Sequence, residues 1–264
     1  MTLLFKWAGG KNKMMPLLDK YVPKAFERYH EPMVGGGAML LHLKPKQAYI
    51  YDINPWLQKV WQHLIWNVDV TYDRFWHHPA WDDVRLDDFT FCRDRLNRPG
   101  WTLADFFFFN RTCFNGLFRV NKSGLINTPK GTAKKVNRDL ILNAIHEFQS
   151  WAVGNVVFDT MNPALAGPGD FYFFDPPYYG TFDKYNAGGF SDADRKDLAE
   201  GCAFLVARGA RVLLTDSPEA RPFYEGLPGL TCAIEGEMMT LSCDSARRGI
   251  TPTLVVYGGI NVDP

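Results

Sequence analysis

The sequence predicts an α/β protein, an open sheet flanked by helices and interrupted by an inserted segment of different character. Three observations carry this. Short apolar runs alternate with helix-period stretches over residues 1–66 and again over 137–264, whereas residues 67–136 lose the alternation. A strand, glycine turn, helix, strand order opens the chain. The expected division is a sheet domain built from 1–66 and 137–264, with 67–136 inserted as a mostly helical subdomain carrying a β-hairpin.

The elements follow in order. Lys13 to Val22 reads as a helix, and Arg28 to His30 as a short strand running into Glu31-Pro32-Met33-Val34-Gly35-Gly36-Gly37-Ala38. Met39, Leu40, Leu41 and Leu43 then open a helix that stops near Pro45. Ala48 to Tyr51 is a strand ending on Asp52. Pro55 starts a helix with Leu57, Val60, Leu64 and Ile65 at helical spacing. In the insert, Trp101 to Phe109 reads as a buried helix. Phe118 to Asn127 gives two extended runs around Lys122-Ser123-Gly124, a hairpin signal. Leu140, Ile141, Ile145 and Phe148 mark a helix over Asp139 to Trp151. Asn155–Phe158, Phe171–Phe174, Arg211–Thr215 and Thr253–Tyr257 read as strands. Ser191 to Val206 is a helix N-capped by Ser191, with acids in its first turn.

Composition narrows the function classes. Apolar residues make up 46% of the 264 residues and aromatic ones 15%, which excludes global disorder. No window reaches about 18 uncharged apolar residues, so no transmembrane helix and no membrane partner are expected. The first residues meet a lysine at once and lack a signal-like apolar run. Five dispersed cysteines form no C-x-x-C pair, and six histidines show no metal spacing, so neither a disulfide framework nor a metal site is expected. The 29 basic and 29 acidic residues cancel, but they are not mixed. Residues 106–138 hold Arg111, Arg119, Lys122, Lys130, Lys134, Lys135 and Arg138 and no acid, with five asparagines among them. A one-signed stretch with amides and aromatics suits a surface that tracks phosphates and reads bases.

Two motifs carry chemistry. Gly35-Gly36-Gly37 between strand and helix lets backbone approach a ligand, and Asp52 at the tip of the next strand can accept hydrogen bonds from a ribose diol. Phe171-Tyr172-Phe173-Phe174 is an apolar strand that ends abruptly in Asp175-Pro176-Pro177-Tyr178. The prolines stop the sheet and aim their neighbours. A carboxylate and a proline carbonyl can then accept the two hydrogens of an exocyclic amino group, while Tyr178 stacks on the ring that bears it.

These motifs resemble, in order, those of the Dam-type DNA adenine methyltransferases, amino-methyltransferases of the Rossmann-like, S-adenosylmethionine-dependent class. Lys6-Trp7-Ala8-Gly9-Gly10-Lys11 matches the family's N-terminal signature. Glu31 to Gly37 matches its glycine motif, Asp52-Ile53-Asn54 its ribose-binding acid, and Asn110 to Arg119 the start of its DNA-reading hairpin. Asp175 to Tyr178 matches its catalytic motif. The resemblance implies methyl transfer to the adenine N6 amino group of double-stranded DNA, with the base flipped into the Asp175–Tyr178 pocket. It implies catalytic roles for Asp175, Pro176, Pro177 and Tyr178. For S-adenosylmethionine it points to Lys6, Trp7, Ala8, Gly9, Gly10, Lys11, Pro32, Met33, Gly35, Gly37, Asp52, Ile53, Asp159 and Asp175. For DNA it points to Arg111, Phe114, Asn115, Leu117, Arg119, Asn121, Lys122, Pro129 and Lys134. Arg119 is the first candidate to read a guanine.

The chain departs from the pattern at Met33 and Phe114, where the family usually carries Phe and Tyr, and in a helix-free, glycine-containing loop over Gly180 to Gly189. The enzymatic alternative is methylation of another amino group, in cytosine, in an RNA base or in protein glutamine; cytosine-directed relatives tend to carry Ser, and glutamine-directed ones Asn, where Asp175 stands. A non-catalytic DNA-binding relative is the alternative from another class. The implied target is a short word such as GATC, and a cognate restriction endonuclease is the implied partner beyond DNA. The expected place of work is the cytoplasm of a bacterial or phage-infected cell.

Overall fold

The computed structural model describes residues 4–66, 72–160, 162–180, 189–238 and 250–262. Among the described residues seven strands form one sheet: β1 (Arg28–Glu31), β2 (Ala48–Ile50), β3 (Val156–Phe158), β4 (Asp170–Phe174), β5 (Arg211–Asp216), β6 (Thr231–Met238) and β7 (Ile250–Gly258). Their spatial order is β3-β2-β1-β4-β5-β7-β6. The first five run parallel, and β7 lies antiparallel between β5 and β6. The order reverses between β1 and β4, which pair with Tyr29 opposite Phe171 and His30 opposite Tyr172. At such a switch point the chain leaves two adjacent strand ends in opposite directions and opens a crevice between them.

The helices are α1 (Met15–Leu18), α2 (Ala38–Leu43), α3 (Pro55–Ile65), α4 (Leu86–Leu96), α5 (Leu103–Thr112), α6 (Arg138–Ala152), α7 (Asp192–Ala207) and α8 (Arg221–Tyr224). Every residue of β4 is buried. Phe171 and Phe173 join a large core with α2 to α6, and Tyr172 and Phe174 join a second one with α7 and Tyr224. A strand covered on both faces needs the continuous apolar run seen in its sequence. α5 packs into the sheet's own core: Phe106 to Phe109 are fully buried there, with Phe106 and Phe107 5.4 and 6.2 Å from the Phe5 ring. Thr102 and Asp105 start α5 by a reciprocal capping box. Among the described residues no helix is long and apolar enough to cross a membrane.

The predicted elements are present, and the main differences are these. The helix over 13–22 shortens to α1 followed by a 3₁₀ turn at Asp19–Tyr21. α4 was not expected, because Asp87, Asp88, Arg93, Asp94 and Arg95 mask a narrow stripe of buried Phe89, Cys92 and Leu96. β6 was missed as well: it is an edge strand whose described side chains are all at least partly exposed, so no alternation marks it. The hairpin over 118–127 contracts to a turn closed by isolated bridges, Val120 to Ile126 and Cys113 to Lys130. Side-chain amides take backbone groups that a ladder would have used. Asn121 Oδ1 accepts from the Ser123 and Leu125 amides at 2.9 and 3.0 Å, and Asn97 pairs with both polar backbone atoms of Ile126. Residues 181–188 of the loop after the Asp-Pro-Pro-Tyr turn, and the expected domain boundary at 67, lie outside the described residues.

Glu31 ends β1 and joins it to α2. Its Oε2 accepts from the Tyr29 hydroxyl at 2.8 Å and from the Leu40 amide at 3.2 Å. Burial pushes its pKa up to about 8, against the opposing pull of Tyr29. An acid whose folded pKa lies above the unfolded value of about 4.3 holds its proton longer in the folded state, so stability is lost as pH rises from there through the folded pKa. Glu31→Gln keeps the acceptor without the ionisation. The variant's melting temperature should therefore gain on the wild type between about pH 5 and pH 8, each kcal/mol appearing as about 2–4 °C. Parallel thermal melts check this, and a constant difference across the range overturns it.

Candidate active site

The crevice holds a cavity of about 630 Å³ at the C-terminal ends of β1, β2 and β4. Its wall on the β1 side is the glycine loop. Gly35 and Gly37 have φ of 49° and 65°, conformations that favour glycine. Packing demands glycine too: a Cβ on Gly37 would fall 2.6 Å from the Trp61 ring, and one on Gly35 3.1 Å from the Trp7 ring. Trp61 Nε1 also donates to the Gly35 carbonyl at 3.0 Å. From β2, Asp52 accepts from the Gly35 amide through Oδ2 and from the Asn54 amide through Oδ1, both at 2.9 Å. Burial raises the Asp52 pKa and the two amides hold it back. Each oxygen keeps a further lone pair for a ligand hydroxyl.

Opposite, Asp175 leaves the end of β4. Lys11 Nζ reaches both of its oxygens, at 2.6 and 2.8 Å, and the Thr215 hydroxyl donates to Oδ1 at 2.9 Å. Lys11 also donates to the Gly9 carbonyl at 2.8 Å and stands 4.5 Å from the centre of the Tyr178 ring. Burial works against its charge, yet Asp175 and Tyr178 outweigh burial and hold its pKa above the ordinary lysine value. The sequence signature at 6–11 is thus brought 164 residues along the chain to the carboxylate at the end of β4.

The cavity gathers Trp7, Ala8, Gly9, Gly10, Lys11, Pro32, Met33, Gly35, Gly37, Asp52, Ile53 and Asp175 to Tyr178. Two residues expected with them stand elsewhere. Lys6 is exposed, its side chain against Gly116 and its backbone clasped by the Asn110 amide at 2.8 and 2.7 Å. Asp159 is exposed past β3, tied by its amide to the Ile50 carbonyl at 3.0 Å. Glu31, Tyr51, Phe173 and Phe190 line the cavity without having been singled out. Only Glu31 carried a sequence signal, as the acid ending a strand ahead of the glycines.

Of the nine residues expected at DNA, Phe114, Asn115, Leu117, Arg119, Asn121, Lys122, Pro129 and Lys134 are exposed. Asn115 adopts a left-handed φ of 54° in the turn that presents Phe114 and Leu117. Arg119 Nε donates to Asn127 Oδ1 at 2.9 Å across the hairpin-like turn. Arg111 differs from the rest: it is half-buried, and Nη2 donates to the Leu4 carbonyl at 3.0 Å. Burial lowers its pKa.

Comparison with known proteins agrees with this architecture. The profile of the D12 class N6 adenine-specific DNA methyltransferases matches residues 7–239. Type II methyltransferase M1.LlaDCHI of Lactococcus lactis subsp. cremoris is 29% identical, over 96% of this chain and 94% of its own. Type II methyltransferase M.MjaIII of Methanocaldococcus jannaschii is 28% identical over 95% and 97%. A DNA adenine methylase of Serratia marcescens is 30% identical over 74% and 75%. The chain belongs to the D12 class of N6 adenine-specific DNA methyltransferases, enzymes that move a methyl group from S-adenosylmethionine to adenine in DNA.

Proposed function

We propose that the cavity takes the methyl donor on its glycine side and the target adenine, flipped out of the duplex, on its Asp175 side. The single observation that carries this is the placement of Asp175, at the end of β4 in the same cavity as the glycine loop of β1. S-adenosylmethionine, when bound, supplies an electrophilic methyl group on its sulfonium. The residues present suit it. Asp52 offers acceptors to a ribose diol, the glycine loop offers backbone approach, and Tyr51, Ile53 and Phe173 offer apolar surface.

The chemistry at the adenine follows from electron demand. The exocyclic nitrogen shares its lone pair with the ring and is a poor nucleophile. Asp175 accepts one amino hydrogen and a proline carbonyl the other, which favours a tetrahedral nitrogen. Arg195 Nη2 already fills one lone pair of the Pro177 carbonyl at 2.7 Å, and we assign the second acceptor to Pro176. Positive charge grows on nitrogen during transfer, where a carboxylate and the face of Tyr178 stabilise it more than in the ground state, and the surplus amino proton then leaves the methylated nitrogen by way of Asp175 to solvent. Lys11 orients the carboxylate by bridging its oxygens. Burying an adenine in this cavity requires extrusion from the stack, at a cost of about a few kcal/mol. Exposed Phe114 is the wedge that would fill the gap.

Residues 67–136 form the DNA-reading part in this account. Arg119 reads guanine, Asn115 and Leu117 stand beside it, and Lys122 and Lys134 meet phosphates. The family resemblance suggests a short word such as GATC. Asp175→Ala should cut transfer of labelled methyl to DNA by at least roughly 10²-fold while DNA still binds; near-normal turnover overturns the assignment. Arg119→Ala should relax the preference for guanine at one position by about 1–3 kcal/mol. Methylation of DNA with single-base changes in the word checks this, and an unchanged pattern removes Arg119 from the reading set.

A further inference from the structure

Arg195, in the first turns of α7, is fully buried, as is Asp216 at the end of β5. The guanidinium binds the Asp216 carboxylate through Nη1 and the Pro177 carbonyl through Nη2. Asp216 accepts in turn from the Tyr179 amide at 3.0 Å, the Ser217 amide at 2.7 Å and the Tyr224 hydroxyl at 3.0 Å. The Ser217 hydroxyl donates to the Tyr179 carbonyl at 2.9 Å. The turn is therefore gripped at Pro177 and at both backbone groups of Tyr179, the residues on either side of Tyr178. The same end of β5 delivers the Thr215 hydroxyl to Asp175. Arg195 also lies 5.3 Å from the ring of Tyr179 and 5.0 Å from that of Phe190, a wall of the cavity.

Among the described residues that line the cavity neither Arg195 nor Asp216 appears, so neither meets the reacting atoms. Nor does ion pairing as such account for them. Two charges in a fully buried site incur a desolvation cost that attraction barely offsets, and an apolar pair of like volume is commonly as stable or more so. What an apolar pair lacks is the fork that holds a carboxylate and a carbonyl at fixed angles.

We propose that Arg195 is a positioning residue for methyl transfer, acting with Asp216 as a buried clamp that fixes Pro177 and Tyr179 and so aims the acceptors and the ring face of the Asp175–Tyr178 turn at the amino group. This rests on the reading of that turn as the adenine site. Loosening the clamp leaves every reacting group present but misplaced, so the chemical step suffers and binding does not.

The test compares Arg195→Lys and the double variant Arg195→Met with Asp216→Leu against wild type. Single-turnover transfer is read at saturating cofactor and DNA, beside the two dissociation constants and the melting temperature. The lysine substitution keeps the charge without the fork, and the apolar pair keeps the packing without the clamp. In either variant the single-turnover constant should fall roughly 10–100-fold, the loss typical of about 1 Å of misplacement, with both dissociation constants within about threefold of wild type. The double variant should lose this rate even where its melting temperature equals or exceeds the wild-type value. A folded variant that transfers methyl within about twofold of wild type overturns the clamp. Asp175→Ala, run in parallel, separates the two readings. If it is inactive while the clamp variants are normal, the clamp alone fails; if it is active, the reading of the turn fails first.

Discussion

The parallel pairing of β1 with β4 determines where everything else in the molecule can go. Register sets Tyr29 against Phe171 and His30 against Tyr172, so the two strands end side by side and their chains diverge from there. One continues through Glu31 into the glycine loop and the other into Asp175. The loop is held on its far side by Asp52 and from beneath by Trp61. Asp175 is held by Lys11 and Thr215. Each of these contacts comes from a different part of the chain, and each presupposes that the two strand ends are neighbours. Pairing β4 elsewhere would leave two half-sites with nothing between them.

Two buried basic groups converge on the Asp-Pro-Pro-Tyr turn and differ in kind. Lys11 lies inside the cavity and bonds the carboxylate directly, a compact charge whose geometry can adjust. Arg195 sits behind the turn and bonds backbone and a second carboxylate with a rigid fork. Both are expensive to bury without partners, and both find them on the turn itself or on its immediate support. The fold therefore commits a large share of its buried charge to some five residues.

The sheet and most of the cavity were legible in the sequence, and the reasons for the misses are particular. β4 announced itself because a strand covered on both faces must be apolar throughout. The glycine loop did so because backbone approach and left-handed φ leave little choice of residue. α4 and β6 were hidden because each buries only a narrow stripe or half-buries its face. The expected hairpin was overstated, since alternation cannot foresee asparagine side chains competing for the backbone. Lys6 and Asp159 have suitable chemistry beside suitable elements, but Lys6 lies against Asn110 and Gly116, Asp159 is exposed past the end of β3, and neither lines the cavity. Arg195 was invisible because nothing in a helical sequence marks which charged residue faces inward.

The core that α5 shares with the sheet bears on how this part of the chain can vary. Phe106 to Phe109 are packed among Phe5, Trp61 and Phe118, so the inserted segment cannot be lifted out as a cartridge. Baring four such rings would cost about 1.5–3 kcal/mol each, comparable to the roughly 5–15 kcal/mol by which a whole protein stays folded. A chimera exchanging 67–136 wholesale must therefore import a matching aromatic face. Exchange limited to the exposed positions from Phe114 to Lys134 leaves that face intact. Sequence change is thereby channelled to a short outer arc of the chain, while the aromatic helix beneath it stays fixed as part of the sheet's own interior.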